Sequence, residues 1–238
     1  MPTLLLLPGL DGTGRLLEDF AAAVGDRCRV ITVDYPTDIP LGYDDLEPLV
    51  RRALPADDEP LVVLGESFSG PLAVRVAAAP PANLRGVVLC CTFVRGPRPH
   101  LGRLLPLARA VPLTQVPETI VARVAMGRDA NARLTALLTE ALASVAPAVV
   151  QRRLEEAVAV DATAELAAVR VPVLYLRALR DRVIPHQASR LVAEVCPATR
   201  IVDFASSHLL LQTRPAEAAT VVADFAREVC GGAWRGTA

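Results

Sequence analysis

The 238-residue sequence contains no lysine: all 25 of its basic residues are arginine. That absence removes Schiff-base catalysis, a Walker-type phosphate-binding lysine and pyridoxal phosphate attachment, each of which needs an ε-amine. Aromatic residues are scarce at 4% although 52% of the chain is hydrophobic. A core must therefore be assembled from Leu, Val and Ala, and few rings are left to stack on bases or sugars. The formal net charge of -1 lacks the basic excess of a phosphate-backbone binder, so no nucleic acid partner is expected. Long hydrophobic runs are missing as well. The Leu4 to Leu7 run follows Met1-Pro2-Thr3, without a positive charge, and is cut by Pro8-Gly9. It is too short for a signal-peptide core or a membrane span, and the expected location is cytoplasmic. The five cysteines (Cys28, Cys90, Cys91, Cys196 and Cys230) are odd in number and lack metal-ligand spacing. They read as reduced structural thiols, with no metal bound.

What is present is a rhythm. Six short apolar runs recur: Leu4 to Leu7, Arg29 to Val33, Leu61 to Leu64, Gly86 to Cys91, Val173 to Leu176 and Arg200 to Phe204. Their hydrophobicity is continuous rather than alternating, which predicts strands covered on both faces, as in a parallel sheet. Helical stretches fall between most of them, near Gly14 to Val24, Tyr43 to Leu54, Gly70 to Ala79, His186 to Val195 and Pro215 to Val229. The fold class expected is α/β, a doubly wound, mainly parallel sheet of about six strands.

The rhythm fails once, between about Phe93 and Arg170. There a Pro-rich stretch, RGPRPHLGRLLPLARAVPLTQVPE, gives way to helical periodicity from Thr119 to Glu165. We expect residues 93–169 to form a helical cap inserted over the carboxyl edge of a core made of 1–92 and 170–230, with 231–238 a frayed tail.

Ligands of open parallel sheets bind beyond the carboxyl ends of the strands. After the third run comes Gly65-Glu66-Ser67-Phe68-Ser69-Gly70, where small residues flank Ser67 at minus two and plus two and Gly70-Pro71 opens an apolar helix. The bland alternative is an ordinary turn or helix cap. The stretch resembles the G-x-S-x-G nucleophile elbow of the α/β-hydrolase superfamily, with Ser69 standing where the second glycine is usual. Ser69 itself is the poorer nucleophile candidate, because its own plus-two neighbour is the bulky, constrained Pro71.

The resemblance extends to three further loops. After the first strand, Pro8-Gly9-Leu10-Asp11-Gly12-Thr13-Gly14 would be an oxyanion loop. Gly9 lets the backbone approach the substrate, Leu10 supplies one N–H and Phe68 the other. A flexible turn feeding a helix is the alternative. After the fifth strand, Asp181 stands where the superfamily carries its acid, since the other common position reads Cys90-Cys91-Thr92 without a carboxylate. A solvated aspartate between Arg180 and Arg182 is the competing possibility. After the sixth strand comes His208; of the other two histidines, His100 lies in the Pro-rich segment and His186 is placed to begin a helix. The chain order Ser67, Asp181, His208 is the hydrolase order.

The resemblance covers nearly the whole chain, except that the superfamily's two usual leading strands are missing. Within it the sequence looks like the small capped carboxylesterases, including those acting on carrier-protein methyl esters. It implies a cofactor-free serine hydrolase cleaving a small-molecule carboxylic ester or thioester with an apolar acyl or alcohol group. Most cap leucines would pack on the core, while Leu101 and Leu105, with Gly9 and Glu66, are taken as substrate-binding; Glu66 shapes the pocket or merely caps the next helix. Arg95, Arg98, Arg103 and Arg109 form either a solvated face or a docking patch for an acidic acyl carrier protein. Three other functions compete: an acyltransferase using the same residues, a hydrolase-like binding protein with an idle site, and a dinucleotide-dependent reductase. The last has glycines Gly9, Gly12 and Gly14 and then Asp34, but the spacing is wrong, Asp11 would repel a pyrophosphate and the reductase lysine is absent.

Overall fold

Every residue of the first strand, β1 (Thr3–Leu7), is buried, and the side chains divide cleanly between two cores. Leu5 and Leu7 join one cluster of apolar side chains while Leu4 and Leu6 join the other. The period-2 alternation of a strand is thus hidden in the sequence, because both faces need hydrophobic residues. The same division continues across β3 (Leu61–Glu66), β4 (Leu84–Cys90) and β5 (Val173–Ala178): Val63, Leu89 and Tyr175 lie on one side, and Leu64, Val88 and Leu176 on the other.

The computed structural model describes residues 1–55, 58–97 and 117–231. With β2 (Arg29–Thr32) and β6 (Arg200–Phe204) as half-exposed edges, the six strands form one parallel sheet in the order β2-β1-β3-β4-β5-β6. One face carries α1 (Glu18–Val24), through Phe20 and Val24, and the long C-terminal helix Pro215–Cys230. The other carries α2 (Tyr43–Arg52) and α3 (Gly70–Ala78). The chain reverses its direction of travel across the sheet between β1 and β3. That switch point opens a crevice at the carboxyl ends of these two strands.

Between β4 and β5 the described residues hold four helices: α4 (Glu118–Ala125), α5 (Ala132–Ala143), α6 (Pro147–Ala159) and α7 (Thr163–Ala168). Local chemistry sets their starts. The side chain of Asn131 accepts from the Leu134 N–H at 2.9 Å to cap α5, and Pro147 stands at the first turn of α6, where its missing N–H costs nothing. The last, α7, packs beside the sheet against α3 and α8 (His186–Val195).

Differences from the sequence expectation are local. The stretch from Gly14 begins as a 3-10 turn, Arg15–Leu17, before α1 starts at Glu18; Gly14 itself is at φ +68°, outside helical space. A four-residue helix, α9 (Leu210–Thr213), precedes the C-terminal helix α10 (Pro215–Cys230) and begins two residues after His208. No single helix among the described residues is long and apolar enough to cross a membrane.

Candidate active site

Strand β3 runs into Ser67, whose backbone sits at φ +49°, a left-handed conformation that serine adopts only under constraint. A 3-10 turn, Ser67–Ser69, follows and leads into α3. The turn is tight enough to dictate its neighbours. A Cβ added to Gly65 would lie 2.6 Å from the Ser69 carbonyl oxygen and 2.9 Å from Ala73 Cβ, and one added to Gly70 would collide with the Thr92 hydroxyl. Thr92 in turn donates its hydroxyl to the Ser67 carbonyl. At plus two, Ser69 is fully buried. Its hydroxyl donates to the Pro8 carbonyl and, having spent its one proton there, accepts from Tyr35 Oη at 2.8 Å. The departure from glycine therefore links the elbow to the loop after β1.

Ser67 Oγ lies 2.9 Å from His208 Nε2, and His208 Nδ1 lies 2.8 Å from Asp181 Oδ2. The other carboxylate oxygen of Asp181 accepts the N–H groups of Val183 and Ile184, both at 2.8 Å. Its side chain is only 3% exposed, so it is not a solvated member of an arginine cluster. Burial works against an imidazolium at His208, but the charge and hydrogen bond of Asp181, helped by Glu66, outweigh it and raise the pKa above the usual histidine value.

A cavity of about 420 Å³ opens above Ser67. Its walls come from α4 (Val121, Val124), α5 (Leu138, Leu142), α6 (Leu154) and the core. Its few polar side chains are those of Asp11, Glu66, Ser67 and His208. Gly9, Leu10 and Phe68 also line it. Among the described residues the Leu10 N–H has no acceptor, and Phe68 stands at the start of the 3-10 turn, where N–H groups lack an internal partner. Among the described residues no group of three or more His, Cys, Asp or Glu side chains could hold a metal ion. Leu101 and Leu105, with Arg98, Arg103 and Arg109, lie outside the described residues.

The sequence model of the alpha/beta hydrolase family matches residues 4–221. The chain belongs to that family. Among solved structures, this hydrolase-family chain is similar to the enol-lactonase of Burkholderia xenovorans LB400, with 19% identity over 94% of this chain and 90% of that one at a TM-score of 0.78. It is also similar to a thermophilic esterase of Thermogutta terrifontis, with 20% identity over 96% and 90% at 0.79. At these identities the likeness is one of fold. Among curated proteins, Phytyl ester synthase 1, chloroplastic, of Arabidopsis thaliana is 32% identical over 116 residues, which is 47% of this chain and 16% of that protein.

Beside Ser67, Glu66 is 2% exposed and makes no helix cap. It accepts from Gln212 Nε2 at 2.9 Å, and a Cβ on Gly9 would meet its other oxygen at 3.5 Å. Burial pushes its carboxyl up to about 7, against the hydrogen bond from Gln212 and the attraction of His208. Four residues around the site are invisible to motif reading. Gln212, Tyr35, Asp129 and Arg153 each act across more than thirty positions of sequence, and Arg153 is flanked by Arg152, an ordinary surface residue paired with Glu156. Only the burial of a charged side chain distinguishes it, and burial is not written in the chain.

Proposed function

We propose that this chain is a serine hydrolase that cleaves carboxylic esters or thioesters bearing an apolar acyl or alcohol group. The observation that carries this is the continuous hydrogen-bonded chain Ser67–His208–Asp181, whose serine and histidine line a mostly apolar cavity. His208 takes the Ser67 proton as Oγ attacks the carbonyl, and Asp181 holds the imidazole in the required tautomer and steadies its charge. The N–H groups of Leu10 and Phe68 receive the oxyanion. Collapse breaks the ester C–O or thioester C–S bond and His208 protonates the leaving group. Water, deprotonated by the same imidazole, then releases the acid from Ser67. We assign residues 93–169 to a cap and 1–92 with 170–230 to the core. The cap's contribution to the cavity wall ends with α6, because α7 lies beside the sheet. The five free thiols suit a reducing compartment, and we place the activity in the cytoplasm; a tagged protein excluded from that compartment would overturn the placement.

The test is a panel of p-nitrophenyl esters of increasing acyl length, together with labelling by a fluorophosphonate. Turnover and labelling should both vanish in Ser67→Ala and fall steeply in His208→Ala. Labelling that persists in Ser67→Ala would refute the assignment, and an unlabelled wild type would favour the idle-site alternative.

The segment shared with a protein named as an ester synthase favours one second reading, acyl transfer from Ser67 to an alcohol. A long-chain alcohol added to the assay separates the two: ester product marks a transferase, and free acid alone marks a hydrolase.

A further inference from the structure

Arg153, on α6, is 1% exposed, and none of its nitrogens lies within ion-pair distance of a carboxylate among the described residues. Its guanidinium is spent on backbone instead. Nη1 donates to the carbonyls of Leu10 at 2.9 Å and Asp11 at 2.7 Å, and Nη2 donates to Pro36 at 2.9 Å, while the group lies 5.6 Å from the centre of the Tyr35 ring. Its Nε has no partner among the described residues. Burying the guanidinium costs desolvation and leaves one donor orphaned, and what offsets this is three bonds to backbone carbonyls that an apolar side chain would leave unmet.

The loop it grips is the one that carries the Leu10 N–H. All five carbonyls from Pro8 to Gly12 are tied down: Pro8 by Ser69, Gly9 by the Gly12 N–H at 3.1 Å, Leu10 and Asp11 by Arg153, and Gly12 by the Tyr35 N–H at 2.8 Å. A trans peptide is planar, so holding a carbonyl also aims the N–H across the same bond in the opposite direction. Leu10's own N–H belongs to the Gly9–Leu10 peptide. That peptide's carbonyl, on Gly9, accepts from the Gly12 N–H, and the Gly12 N–H lies across the Asp11–Gly12 peptide from the Asp11 carbonyl that Arg153 holds, so the tilt of the Leu10 N–H depends on Arg153 through Gly12. Gly12 shows the loop shaped around the guanidinium: it lies at φ +72°, and a Cβ there would lie 2.5 Å from Arg153 Nη1.

Building on the serine hydrolase reading, we propose that Arg153 is a positioning residue, a guanidinium from the inserted helices that locks the loop after β1 so that the Leu10 N–H faces the oxyanion. It touches neither substrate nor Ser67 and acts through the backbone of residues 10 and 11.

Arg153→Met keeps bulk and removes the donors, and Arg153→Lys restores one cation with fewer donors. In Arg153→Met, kcat should fall about a hundredfold with KM little changed, the low end of what losing an oxyanion donor does. Affinity for a trifluoromethyl ketone, which forms an oxyanion on Ser67, should fall in parallel. Inhibition by an alkyl alcohol that fills the cavity without forming an oxyanion should move less than about twofold, and Arg153→Lys should lie between. If Arg153→Met does not fold, Arg153→Lys carries the test alone, with kcat and ketone affinity lowered together and alcohol inhibition within about twofold of wild type. Wild-type kcat and ketone affinity in a variant that only melts earlier would overturn the proposal and leave Arg153 structural. Failure of the hydrolase reading looks different: the wild type itself would neither turn over esters nor bind the ketone.

Discussion

Asp129 accepts both the N–H of Ser207, at 3.1 Å, and its hydroxyl, at 2.7 Å. The same carboxylate binds Arg180 at 3.0 Å and Arg214 at 3.2 Å. Ser207 and Arg180 are the residues immediately before His208 and Asp181, so one side chain from the insertion steadies two loops of the site. Burial pushes this carboxyl up, but Ser207 and the two guanidinium groups outweigh it and keep it below the usual carboxylate range. Asp129→Ala should destabilise the fold by about 2 kcal/mol, the worth of a charged hydrogen-bond set, and lower kcat about tenfold with little change in KM. Thermal melts and ester kinetics measure both; wild-type kcat would mean that the His208 loop keeps its geometry unaided.

Ser69 offers a cleaner energetic test. Replacing it with alanine strands both the buried Tyr35 hydroxyl and the Pro8 carbonyl, each at a cost of about 1–3 kcal/mol. Adding Tyr35→Phe removes the stranded hydroxyl but leaves the Pro8 carbonyl without its donor, so the double variant should recover part of the loss in urea denaturation. A double variant as weak as the sum of the singles would show that Ser69 and Tyr35 do not share their bond.

Glu66 makes stability fall with pH. A carboxyl raised by burial from its ordinary 4.5 to about 7 contributes stability fully below 4.5, and that contribution is lost as pH climbs through about 7, because the folded state binds the extra proton. The neutral Glu66→Gln protein should therefore gain on the wild type between pH 5 and pH 8, by at most about 3 kcal/mol. An equal difference in melting temperature at the two pH values would contradict this.

The rate profile should carry the same coupling. Catalysis needs neutral His208, so kcat/KM should rise through a pKa above the usual 6.5, as the direction of its shift requires. Both Asp181 and Glu66 favour the imidazolium, so Glu66→Gln and Asp181→Asn should each move the acid limb to lower pH. Asp181→Asn should also reduce kcat by on the order of 10³- to 10⁴-fold through the wrong tautomer. An acid limb unmoved in both variants would detach it from His208.

The cavity predicts a length preference. Each methylene buried against its walls is worth about 0.8 kcal/mol, roughly fourfold in kcat/KM, until the space is full. Leu142→Trp should move that plateau to shorter chains while leaving acetate esters near wild type. An unchanged length profile would place the acyl chain elsewhere.

Much of this was legible before any coordinates. A strand buried on both faces must be apolar at every position, so Leu4 to Leu7 and Leu61 to Leu64 announce themselves and their order with the helices announces the sheet. Ser67, Asp181 and His208 could be picked out because each follows a strand and chemistry demands their residue types. The neighbours that hold them could not. Arg153 reads like Arg152, Asp129 like any surface acid, and Ser69 like a tolerated exception to glycine.

The linear chain thus determined the architecture and singled out three candidate side chains for the site, because both follow from local patterns of hydrophobicity and chemical type. Tertiary structure alone decided which charges are buried, since burial depends on what a helix from residue 147 onward lays across a loop near residue 10. Hydrogen bonds between residues more than a hundred positions apart leave no local pattern, and those of Arg153 hold the backbone at residues 10, 11 and 36.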